Sequence, residues 1–155
     1  MATKLKGDVM FKKLLVPVSG DAITKKELKK AAKLAKQANA KLALVYVSDP
    51  LAPYMYTESV NSSMISEASH KKACIEFAKK LFTKARSELG ADLVANVYHI
   101  SHPNIADGIL EAAKKFKADA IVMSSHKRTG ISGLFLRSEA QEVVLHSPIP
   151  VIILN

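Results

Sequence analysis

Five short apolar runs rich in branched residues are separated by intervals long enough to hold a helix, and this spacing restricts the chain more than any single motif does. Lys13 to Val18 (KLLVPV), Lys41 to Val47 (KLALVYV), Leu93 to Ile100 (LVANVYHI), Ala118 to Ser124 (ADAIVMS) and Val151 to Leu154 (VIIL) read as strands. Near-continuous apolar runs of this kind suit strands covered on both faces. Strands alternating with helices demand a mainly parallel sheet, because each right-handed crossover must cover apolar surface. The expected fold class is therefore α/β: a single domain with a five-stranded, mainly parallel sheet and helices on both faces. The run from Leu93 to Ile100 alternates more than the others, which suggests a strand nearer an edge.

The intervals carry helix signals. Thr24 followed by Glu27 is a capping-box pair that opens a helix running to about Asn39. A second, longest helix is expected from about Ser63 to Leu89 on the recurrence of Ile65, Ala68, Ala73, Phe77, Leu81 and Ala85, with Gly90 just past its end. Ser101-His102-Pro103-Asn104 opens a third with the stripe Ile105, Ile109, Ala112 and Phe116, ending near Lys117. Ser138 with Gln141 starts a fourth, which ends at His146 before Ser147-Pro148. Residues 51 to 62 have no clear period and read as a loop.

Composition narrows the function classes. With 155 residues, 48% apolar and 24% charged, the chain has ordinary globular content and about one domain's length. A single cysteine, Cys74, excludes an internal disulfide and a multi-cysteine zinc site. With only Lys71, Lys72 and Glu76 read as its neighbours, Cys74 is expected to be chemically unimportant. No secretory h-region and no membrane-length apolar stretch occur, so a cytoplasmic, soluble protein is expected. The net charge is +9, and six lysines lie between Lys25 and Lys36, opposite Leu28, Ala31, Ala32 and Ala35. They read as the solvated side of a helix; a nucleic-acid partner is not expected, because no binding motif or aromatic interleaving accompanies them. Histidines 70, 99, 102, 126 and 146 show no metal-ligand pairing, so no metal site is expected.

The stretch from Ala118 to Asn155 resembles the universal stress protein family. Ser125-His126, then Ser138-x-x-Gln141, then His146-Ser147-Pro148-Ile149-Pro150-Val151 is similar to that family's ending, and Met10-Phe11-Lys12-Lys13-Leu14 to its usual start. The resemblance implies a family domain over residues 10–155, with Met1 to Val9 an extension. It also implies strand order 3-2-1-4-5, with a ligand crevice at the switch point between strands one and four. That crevice would be lined by Pro17, Val18, Ser19, Val45, Ser124, Ser125, His126, Lys127, Arg137 and Ser138. Adenine-nucleotide-binding relatives carry Gly, two residues, Gly, nine residues, then Gly-Ser or Gly-Thr in the loop after strand four. Here the three glycine positions fall on Ser124, Lys127 and Arg137, and Ser19 stands where relatives have an aspartate on ribose. The resemblance thus implies a regulatory module with weak or absent ATP binding, rather than an enzyme. The alternative is a protein that holds ATP or AMP there, with Lys127, Arg128 and Arg137 gripping phosphate. It further implies a homodimer formed through Val151 to Leu154, whose open strand edge needs a cover.

Overall fold

The computed structural model describes residues 10–18, 23–50, 67–124 and 138–154. In chain order the elements are β1 (Lys13–Pro17), α1 (Lys25–Ala38), β2 (Lys41–Ser48), α2 (Glu67–Leu89), a 3-10 turn (Ala91–Leu93), β3 (Val94–Ser101), α3 (Ile105–Phe116), β4 (Ala120–Ser124), α4 (Ser138–His146) and β5 (Val151–Leu154). The strands form one sheet in the order β3-β2-β1-β4-β5, and every neighbouring pair is parallel. The α/β class and the 3-2-1-4-5 order are as expected, and β3 lies at an edge as its alternation implied.

Side chains along each strand alternate between two cores. Leu14, Val16, Leu42, Leu44 and Val122 pack under α1 and α2, against Leu28, Ala31, Ala35, Phe82 and Leu89. Leu15, Ala43, Val45, Ile121 and Met123 pack on the other face under α3 and α4, against Ile109, Ala112, Phe116 and Val143. The middle strands are therefore apolar at nearly every position, and burial of a side chain of this size contributes about 1.5–3 kcal/mol.

Local chemistry fixes the ends of the elements. Glu27 N donates to Thr24 Oγ1 (3.2 Å) and Thr24 N donates to Glu27 Oε2 (2.7 Å), closing the capping box at the start of α1. Asn39 and Lys117 end α1 and α3 in the left-handed conformation. At the opposite pole from the strands' carboxyl ends, Asp119 Oδ2 accepts from the amides of Lys12 (2.7 Å) and Lys13 (2.8 Å). On the α3 side the layers meet closely: a Cβ added at Gly108 would lie 2.6 and 2.8 Å from the methyl carbons of Val47.

The structure differs from expectation in the buried face of α2 and in several strand ends: β1 stops at Pro17, and β2 and β3 run on to Ser48 and Ser101. The buried stripe of α2 is Ala78, Phe82, Ala85 and Leu89, whereas Phe77 is 44% exposed and Ala68 and Ala73 are also exposed. Among the described residues of the expected stripe only Ala85 is buried, because the helix is rotated by about one residue from the register read in sequence. The expected helix start at 63–66 lies outside the described residues. Leu93 belongs to the 3-10 turn, since Gly90 adopts φ 95° and delays entry into β3 until Val94. Ala118 and Asp119 precede β4, where they serve the helix end and the β1 start through their backbone and carboxylate bonds.

Candidate functional site

Because β1 sits between β2 and β4, chain connections leave to opposite sides beyond the carboxyl ends of β1 and β4, which is where open parallel sheets bind ligands. Pro17 ends β1 and is half-buried; Val18 follows, buried, and donates its amide to the Val45 carbonyl at 2.8 Å. Val45 itself is 1% exposed and points into the α3–α4 core, so it borders the crevice through its carbonyl. The paired register of Leu15 with Ile121, continued along both strands, sets Val18 level with Ser124. Ser124 closes β4 and is half-buried, and its Oγ is cut off from solvent with no hydrogen-bond partner among the described residues. A buried hydroxyl left in that condition costs about 1–3 kcal/mol.

The structure thus brings Pro17, Val18, the Val45 carbonyl and Ser124 together at the carboxyl ends of β1, β2 and β4. Ser138 is the first residue of α4. Ser19, Ser125, His126, Lys127 and Arg137 lie outside the described residues, as does Arg128.

A second polar cluster, which sequence reasoning missed, lies at the carboxyl ends of β2 and β3 beneath α2. The register places Tyr46 beside His99, and their rings stack with centroids 5.4 Å apart; Phe77 of α2 tilts onto Tyr46 at the same separation. Buried Ser48 lies with Oγ 2.8 Å from His99 Nε2. One turn from Cys74, the His70 Nε2 is 3.0 Å from the Asp49 carbonyl oxygen and 3.4 Å from Cys74 Sγ. A carbonyl can only accept, so Nε2 carries the hydrogen in that contact. Cys74 therefore has His70 beside it, a neighbour not expected from sequence; the signal was the i, i+4 spacing of the two on a helix. Burial pushes the Tyr46 phenol up, with the Cys74 sulfur adding to the shift, and pushes the His99 imidazole down. These contacts tie α2 to the β2–β3 edge. No group of three metal-ligating side chains occurs among the described residues. His102 Nδ1 accepts from the Asn104 amide at 3.0 Å, which shapes the entry to α3.

A parallel 3-2-1-4-5 sheet, sandwiched by two helix pairs with its switch point between β1 and β4, defines a doubly wound α/β fold. The family model described as the Universal stress protein family matches residues 10–155, and the chain belongs to that family. The universal stress protein MJ0531 of Methanocaldococcus jannaschii is 28% identical over 155 residues, covering 96% of this chain and 85% of the relative. The solved structure of hypothetical protein MJ0577 superposes with a TM-score of 0.70 at 24% identity, covering 94% of this chain and 96% of that one. A universal stress protein from Archaeoglobus fulgidus, solved in complex with dAMP, has a TM-score of 0.63 at 18% identity, with 94% and 99% covered. These structural likenesses establish the fold. No described helix is long and apolar enough to cross a membrane.

Proposed function

We propose that this chain is a cytoplasmic regulatory or binding module rather than an enzyme, that it acts as a homodimer, and that it holds ATP weakly or not at all. Residues 1–9 are an extension outside its family domain. Ser124 carries the reading of the crevice. It stands at the first glycine position of the loop that serves phosphate in nucleotide-holding relatives, and its side chain fills room that glycine leaves for close backbone approach. Lys127 and Arg137 replace the other two glycines, and Arg137 sits immediately before the first helical residue of α4, where a dipole would favour an anion.

One observation favours the second reading, ATP or AMP held in the same crevice: the Ser124 Oγ, without a partner among the described residues, to which a ribose or phosphate oxygen could hydrogen-bond. The dAMP complex of the Archaeoglobus fulgidus relative supports the same alternative.

Calorimetry with ATP and AMP on the wild type and on the double variant Lys127→Gly with Arg137→Gly separates the two. Under the first reading the wild type binds ATP weakly or undetectably, and the variant binds it better despite losing two cations. Tight binding by the wild type, abolished in the variant, would mean that the cations grip phosphate and that the nucleotide-holding reading is correct.

The homodimer rests on β5. It is an edge strand of four apolar residues, all half-buried, and Val144 and Leu145 of the adjacent α4 are 45% and 77% exposed. An exposed strand edge beside apolar side chains calls for a cover, and a second copy across a two-fold axis is the closed solution.

A further inference from the structure

The fold divides the chain's charge unequally between its two helical faces. α1 holds six lysines against one glutamate, a net +5, and that glutamate, Glu27, is 6% exposed. Every exposed residue of α1 is a lysine except Gln37. α2, on the same sheet face, adds six basic residues against three glutamates, a net +3. On the other face α3 is neutral and α4 carries −2. Of the chain's net +9, then, +8 lies on the two helices covering one face. Lys25 Nζ is 3.4 Å from Glu88 Oε1, which joins α1 to α2 and makes their outer sides one surface.

We propose that this α1–α2 face binds the phosphate backbone of duplex nucleic acid without regard to base sequence. Lysine is a compact point charge that meets phosphates without demanding a fixed orientation. The lysines of α1, with eleven helical steps from Lys25 to Lys36, span about 17 Å at about 1.5 Å per residue, close to half a turn of duplex. No aromatic residue lies among the α1 lysines, and the exposed Phe77 of α2 has its ring tilted onto Tyr46; a single strand needs stacking platforms, whereas a duplex presents its phosphates on the outside. Anionic lipid fits less well, because interfacial helices enter it with an apolar face and that of α1 is already buried in the core. What reads in sequence as the solvated side of one helix becomes, once α2 lies alongside, a continuous basic surface with a nearly neutral opposite side. The inference is independent of the crevice and of any nucleotide there.

Two variants that remove equal charge from opposite faces test it: Lys29→Gln with Lys33→Gln on α1, and Lys114→Gln with Lys115→Gln on α3. All four side chains are exposed, and glutamine preserves helix propensity. Circular dichroism checks folding; should the α1 pair fail to fold, Lys26→Gln with Lys36→Gln takes its place. Anisotropy of a fluorescent mixed-sequence duplex, followed from about 50 to about 200 mM salt, gives affinity and salt slope. The α1 variant should bind about tenfold more weakly at low salt, with a log–log slope shallower by about 1.8 for two lost phosphate contacts, while the α3 variant stays near wild type. Equal losses in both variants would mean that net charge alone is at work and would overturn the proposal. Wild-type binding without salt dependence, or tighter binding to phosphatidylserine vesicles than to duplex, would overturn it as well.

Discussion

Gly108→Ala sets two well-measured effects against each other at the closest approach between helix and sheet. Gly108 lies inside α3, where replacing glycine by alanine favours the helix by about 0.8–1.0 kcal/mol. The new Cβ would stand 2.6 and 2.8 Å from the two methyl carbons of Val47, well inside contact distance. Val47 is 9% exposed and β-branched, so it has no easy alternative rotamer, and overpacking of this kind costs about 1–3 kcal/mol. The clash wins, and Gly108→Ala should destabilise by about 1 kcal/mol net. Urea unfolding followed by circular dichroism at fixed protein concentration would record this as a lower midpoint with unchanged slope. Val47→Ala removes the obstructing methyls, so in that background the same Gly108→Ala change should raise stability by about the propensity difference. If Gly108→Ala stabilises the wild type as much as it does the Val47→Ala protein, α3 does not press on β2 as described and the reasoning fails.

Thr24→Ala removes the hydroxyl that accepts the Glu27 amide and should cost about 1 kcal/mol, read in the same unfolding assay. Ile152→Asp puts a carboxylate into the β5 edge and should halve the mass found by light scattering or precipitate the protein; a wild-type monomer at micromolar concentration would refute the dimer. Burial lowers the His99 pKa, so the unfolded chain takes up its proton at higher pH than the folded one does. The His99 contribution is therefore present above about pH 6.5 and is lost as pH falls through the folded value. His99→Gln should flatten that part of the stability–pH curve, and an unchanged curve would contradict it. Cys74→Ser should cost no more than an ordinary swap at a half-buried position, with thermal unfolding as the check.

Sequence patterns disclosed the sheet because parallel strands buried on both faces are apolar at nearly every position, as Leu14 to Val16 and Leu42 to Val45 are. The Thr24–Glu27 box was equally legible, since its two bonds are local and need no tertiary partner. α2 was misread for the opposite reason. Its alanines and lysines offer two apolar stripes one residue apart, and only packing against α1, β2 and β3 chooses Phe82 over Phe77. The cluster of Tyr46, Ser48, His70, Cys74 and His99 joins residues up to 53 positions apart through the β2–β3 register, so no short motif announces it. At the crevice, Ser124 could be named from its loop position, but its enclosed and unpartnered hydroxyl emerges only when β4 is set beside β1.

The Asp119 carboxylate has a bearing on the order in which the chain can fold. It satisfies the amides of Lys12 and Lys13, about 106 positions upstream, and β4 beside it covers the flank of β1 that β2 does not. During synthesis β1 and β2 can pair early, yet that flank stays open until nearly the whole chain has emerged. A nascent or truncated chain ending before β4 therefore presents a bare, apolar strand edge from what becomes the middle of the sheet, and it is at this stage, before about the last quarter of the chain arrives, that aggregation threatens it most.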